Sequence, residues 1–139
     1  MQILHPPGWP RPRGYANGVA AEGRLVFVAG QIGWDERETI VSDDLAEQVK
    51  KALENTLAVL READAGPQHV VRMTWYITDR QAYLARSREL GEVYRTLMGR
   101  HYPAMAVVEV KALIEERAKV EIETTAVVPR RDPRPAGQR

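Results

Sequence analysis

Two carboxylates stand two residues apart in "KVEIET", Glu121 and Glu123. Side chains two apart on a strand share a face, so the pair presents two carboxyl groups to one surface. Such a pair can raise one of the two pKa values and serve acid–base work. The same spacing describes a solvated strand face, and on spacing alone that plainer reading is favoured. Tyr15, in a loop after "RPRG", is by itself a surface tyrosine. Gly30 and Gln31 lie in "AGQIG", whose glycines let backbone amides approach a ligand. Arg80, Arg86 and Arg88 surround a helical stretch, where one guanidinium facing inward could meet an anion. Met105, in "HYPAMAVVEV", is either a core residue or the lining of a site.

Other chemistries find no support. His5, His69 and His101 are never paired at metal-ligand spacing, and each reads as a loop residue. The absence of cysteine excludes disulfides, thiolate nucleophiles and cysteine-held metals. There is no Walker A motif, no G-x-G-x-x-G and no G-x-S-x-G, and "AGQIG" is too short for a phosphate loop. A net charge of +1 gives no global field for nucleic acid or an anionic membrane. No apolar run approaches the roughly 20 residues that span a bilayer, and "MQILHPPGWPRPRGY" lacks the apolar core of a signal peptide. The expected location is the cytoplasm.

The elements that must position these residues follow from periodicity. A chain of 139 residues with 44% hydrophobic content suits one domain with an ordinary core. "HPPGWPRPRG" predicts looped or extended chain, and "RLVFVAGQI" a strand. Asp44 and Glu47 form an acidic capping box ahead of Leu45, Val49, Ala52, Leu53, Thr56, Leu57 and Leu60 at helical spacing, with Gly66 and Pro67 as the stop. "HVVRMTWYIT" predicts a strand. Thr78 with Gln81 offers a second capping box, and Tyr83, Ser87, Leu90, Tyr94 and Leu97 mark one face of a second helix ended by Gly99. "AMAVVEVKAL" and "AKVEIETTAVV" are the remaining strands. The basic, Pro-rich tail over 131–139 is expected to be disordered, leaving a single domain over 1–130.

The order is β, with room for an earlier N-terminal strand, then α, β, α, β, β. Two amphipathic helices can cover one sheet face. The other is expected to carry valines, Met105 and a tryptophan or tyrosine, and so to need a partner. An oligomer with inward-facing sheets follows.

Taken in order, "GYANGVAAEGRLVFVAGQIGWD", "EQVKKALENTLAVLREADA", "VVRMTWYITD", "YPAMAVVEV" and "AKVEIETTAVV" resemble the RidA/YjgF family of imine/enamine deaminases over roughly residues 14 to 129. The resemblance implies an α+β, chorismate-mutase-like fold with two helices on one face of a mixed sheet. It also implies a homotrimer with sites in the clefts between subunits. Active members hydrolyse 2-imino or enamine acids to a keto acid and ammonia without a metal or bound cofactor. By that resemblance Tyr15 is the N-terminal-loop tyrosine, Gly30 and Gln31 supply backbone at a strand end, and Glu121 orients the attacking water. Ser87 falls near a frequent asparagine. The family's carboxylate-clamping arginine lies in a "P-A-R" stretch; here the stretch is "PAM", with Met105 in that place. Val107 takes the next inward position, where a cysteine is common. A thioether has no donor, so the pocket is expected to be more apolar at that end and poor for small 2-imino acids. Two readings stay open: a hydrolase or lyase acting on an imine, enamine or related compound, and a non-catalytic ligand-binding or sensor trimer. An RNA-directed role is disfavoured by the near-neutral charge.

Overall fold

The computed structural model describes residues 1–130; the tail expected over 131–139 lies outside the described residues. A short hairpin comes first, β1 (Gln2–Leu4) and β2 (Gly18–Ala20), paired antiparallel, which is the earlier strand that the sequence left room for. Then follow β3 (Arg24–Gln31), α1 (Leu45–Glu62), β4 (Val70–Ile77), α2 (Arg80–Ala85), α3 (Ser87–Met98), β5 (Ala104–Glu109) and β6 (Val120–Val128). The main sheet runs β3-β6-β4-β5. β4 and β5 are parallel, so the chain must cross over between them, and α2 with α3 is that crossover.

α1 begins where its capping residues say it should: the Asp44 carboxylate accepts from the Glu47 amide at 3.0 Å. It ends earlier than Gly66. Asp64 takes the left-handed conformation (φ 54), and the Ala65 and Asp64 amides donate to the carbonyls of Leu60 and Arg61. Gly66 is extended. An aspartate tolerates φ > 0 better than most residues, so the stop falls two residues before the expected glycine.

The second expected helix is two helices. Thr78 lies just past the end of β4, its amide bonded to the Lys119 carbonyl, and Asp79 caps α2 instead by accepting from Ala82. Arg86 (φ −116) separates α2 from α3. Its guanidinium is held by Asp44 at 2.6 Å and Glu89 at 2.7 Å. α3 ends at Gly99 (φ 70), as its sequence indicates.

The helices cover one face of the sheet. Leu53, Met73, Trp75, Val120 and Ile122 are buried between the layers. One β-bulge at Val71 keeps Val70 and Met73 on the same side. The opposite face is open and carries Leu25, Phe27 (73% exposed) and Val108, beside Arg72, Tyr76, Glu121 and Glu123. One assignment changes: Met105, Val107 and Trp75 lie on the helix-covered face, packed with the core, while Tyr76 and Val108 lie on the open one. Register decides this, because Met105 pairs with Met73 and Val107 with Trp75.

Gln48, wholly buried on α1, ties the layers at one end. Its amide donates to the carbonyls of Ser42 and Arg117 and accepts from the Lys119 amide at 2.8 Å. Leucine at this position keeps the volume but strands those groups, each hydrogen bond being worth about 1 kcal/mol and a buried orphan costing more. Gln48→Leu is expected to lower stability by about 2–4 kcal/mol in urea denaturation; an unchanged midpoint would show that the ties contribute nothing.

Candidate functional site

Two groups of the expected site residues lie near opposite edges of the sheet. The first group is on β3 and β6. A bulge between Val28 and Gln31 inserts one residue into β3, and it brings Gly30 over Glu121. A Cβ at Gly30 would lie 2.7 Å from Glu121 Oε2, so only a glycine leaves the carboxylate where it is. The Gln31 side chain turns back to donate to the Ala29 carbonyl. The loop that follows is held on α1, because Asn55 donates to the carbonyls of Ile32 and Trp34 and Gly33 lies against the Gln48 backbone.

Glu123 shares the open face with Glu121 but is otherwise engaged. It accepts from the Tyr76 hydroxyl at 2.6 Å, and that bond, with smaller help from desolvation and the nearby charge, raises the Tyr76 phenol above its ordinary pKa. The two carboxylates spaced for joint work thus have different neighbours: Glu121 meets backbone at a strand edge, Glu123 a tyrosine.

The second group is at the β5 edge. Ser87 and Met105 line one groove of about 370 Å³ with Trp75, Tyr83, Tyr102, Arg13 and Arg95. Tyr94, also in the lining, stacks on Tyr102 (5.7 Å between ring centroids) and tilts against Trp75. Burial pushes the Tyr94 and Tyr83 phenols up, so both stay neutral donors at physiological pH. Val107 packs on the core and is not part of this groove. The strap that carries Tyr15 is fastened to the same edge: Ala16 bridges Ala104, and its amide donates to the Pro103 carbonyl at 2.9 Å. Tyr15 itself faces a second groove, of about 700 Å³, between the N-terminal hairpin and the Arg100–Tyr102 turn.

Glu121 is on β6 and Met105 on the edge strand β5, two inter-strand spacings apart, or about 10 Å at roughly 4.8 Å each. Glu121 faces the open side and Met105 the helix side. One protomer cannot offer both to one small molecule.

The arginines sort differently from the sequence expectation. Arg86 is committed to Asp44 and Glu89, which raise its pKa further above the usual guanidinium value; Arg86 in turn, together with the Glu47 amide at the α1 cap, holds Asp44 below its ordinary carboxylate value. Arg88 is exposed and outside the groove. The cations that line it, Arg13 and Arg95, went unremarked in the sequence, although Ser87, Gly91 and Arg95 at four-residue spacing are one stripe of a helix. The three histidines serve loops: His69 Nδ1 accepts from the Gly66 amide, His101 Nε2 meets the Val70 carbonyl, and His5 lies between Trp9 and Asn17. Among the described residues no cluster of acidic and histidine side chains could hold a metal, and no helix is long and apolar enough to cross a membrane.

With this geometry in place, comparison with known proteins is specific. The family model described as Endoribonuclease L-PSP matches residues 10–128. A RutC family protein of Pyrococcus abyssi is 36% identical, over 84% of this chain and 89% of that one. The human 2-iminobutanoate/2-iminopropanoate deaminase is 30% identical, over 81% and 79%. The crystal structure of a Rid-family protein from Yersinia pestis superimposes with a TM-score of 0.82 at 28% identity, covering 91% of this chain and 98% of that one.

Gly30→Ala tests the close approach at β3. The clash is with the Glu121 side chain from Cγ outward and spares its backbone, so a change of rotamer should let the fold hold, with a thermal midpoint within about 3 °C of the parent. A crystal structure of the variant should show the Glu121 carboxylate rotated away from the strand. A loss of more than about 10 °C would show that the carboxylate has nowhere to go.

Proposed function

The chain belongs to the RidA/YjgF family, and on that premise we propose that it binds a small organic molecule in a cleft between protomers and hydrolyses an imine, enamine or related compound there. The observation that carries this reading is the Glu121 carboxylate held under Gly30 at an open strand edge. In the proposed cleft Glu121 takes a proton from water as the water oxygen bonds to the imine carbon, and the C=N electrons pass to nitrogen. Glu121 returns that proton to the nitrogen, giving a carbinolamine; the carbinolamine hydroxyl proton then passes by way of Glu121 to the amino nitrogen, the C=O bond forms as the C–N bond breaks, and ammonia leaves with a carbonyl product. Tyr15 of the adjoining protomer supplies a phenol donor on the nitrogen side. No cofactor is required by this route.

The assembly argument is physical. Half-sites on opposite faces of the sheet can be joined by a head-to-tail contact between copies, and such a contact closes into a ring when its rotation closes. The open face, with Phe27 and Leu25 exposed, is the surface that a ring would bury. A homotrimer, typical of the family, satisfies both. Light scattering at low micromolar concentration should return about three chain masses, and a stable monomer would remove the cleft altogether.

Met105 supports a second reading, a ligand-binding trimer without turnover. An arginine makes charge-assisted bonds to a carboxylate that a thioether cannot. Losing one such bond costs about 1.5–3 kcal/mol, roughly ten- to a hundredfold. Imines generated by an amino-acid oxidase separate the readings. The hydrolase reading expects slow loss of 2-iminopropanoate, a further fall in Glu121→Gln, and a rise of roughly tenfold or more in Met105→Arg. Wild-type rates in Glu121→Gln would defeat the water-orienting role, and no acceleration of any imine would favour the binding reading.

A further inference from the structure

We infer that Arg95 is the anion anchor of the β5-edge groove, and that the groove selects a carboxylate carried on an apolar, ring-sized body. The inference rests on the reading of this groove as one half of the ligand cleft.

Ser87, Gly91 and Arg95 occupy positions i, i+4 and i+8 of α3 and so lie in one row. Long helical side chains lean toward the N-terminus, and Arg95 does so: its Nη1 lies 3.3 Å from where a Cβ on Gly91 would stand. Gly91 is thus the space in which the guanidinium rests, one turn from the Ser87 hydroxyl. Among the described residues no carboxylate comes within 4 Å of it, and Glu89 of the same helix is taken by Arg86. A guanidinium with unpaired donors, beside a hydroxyl, is a carboxylate receptor. Arg13 flanks the groove from the strap and adds positive charge without competing acids.

The rest of the lining is apolar or aromatic: Met105, Trp75, Tyr83 and Tyr102. The Trp75 Nε1–H in that wall is buried and has no hydrogen-bond partner among the described residues. A volume of about 370 Å³ falls in the range of small-molecule pockets, and it leaves much of this wall uncovered by a three-carbon acid. The anchor has therefore moved from strand to helix, and the position that Met105 holds on β5 becomes a surface for the ligand body instead.

The test uses the full-length protein and unreactive probes. 3-Phenylpropanoate, its neutral amide and propanoate are titrated by calorimetry into wild type, Arg95→Gln, Arg95→Lys and Gly91→Leu. Wild type should prefer phenylpropanoate to both the amide and propanoate. Arg95→Gln should weaken phenylpropanoate by roughly ten- to a hundredfold and leave the amide within about twofold, with Arg95→Lys between. Gly91→Leu should weaken both aromatic probes. Arg95 is exposed, so an unchanged thermal midpoint certifies the fold of its variants. Equal affinity of wild type and Arg95→Gln for phenylpropanoate, equal affinity of acid and amide, or no binding of either would overturn the inference. Arg95-dependent binding in a protein that turns over no imine would uphold it while defeating the hydrolase reading.

Discussion

The buried amide of Gln48 is the tie on which the geometry of the Glu121 half-site depends. Its three hydrogen bonds hold the start of α1, the Arg117 carbonyl and the Lys119 amide at one point. Those last two lie just ahead of β6, the strand that bears Glu121. Gly33, pressed against the Gln48 backbone, and Asn55, bonded to the Ile32 and Trp34 carbonyls, bring the loop after β3 to the same helix. One helix thereby sets the relative position of the two strands whose bulge puts Gly30 over a carboxylate. A polar group with every bond made in a dry interior is rigid, because any displacement leaves a donor or acceptor unpaired.

Asp44 couples this frame to the other half-site. It caps α1 and receives Arg86, and Arg86 in turn takes Glu89 of α3. A helix that ran unbroken from residue 80 would carry the Arg86 side chain on a regular row. The break at Arg86 sends it to Asp44 and starts α3 at Ser87. The row Ser87, Gly91 and Arg95 then looks onto the edge strand β5. Charge pairing at partly exposed sites contributes modest stability; its greater effect here is on direction.

The sheet's unequal faces explain why one chain keeps Glu121 and Met105 apart. Helices need only one face, and the residues expected to cooperate fall near both edges. In the proposed ring, burial of Phe27 and Leu25 and completion of the cleft are the same event. Affinity for ligand and for a second copy would then be linked.

Much of the fold was legible in the sequence. Periodicity marked every main strand and α1, the Asp44 cap was read from its spacing with Glu47, and Gly99 from its place after an amphipathic run. These depend on local chemistry, which is written in neighbouring residues. One error is local: Asp64, taking φ > 0, ends α1 before Gly66. The others have one origin. Asp79 replaces Thr78 as a cap, the Thr78 amide being bonded to the Lys119 carbonyl, and Arg86 splits a helix for a partner 42 residues away. The face on which Met105 lies was likewise settled by pairing with Met73. Residue types and order determined the family, the layers and the identity of Tyr15, Gly30, Ser87, Met105 and Glu121 as candidates. Only tertiary structure decided that Glu121 rests under Gly30 while Glu123 meets Tyr76, that Arg86 is spent, and that Arg95, unpaired among the described residues, stands in a groove. Register, bulges and long-range ion pairs are relations between distant segments, and no local pattern encodes them.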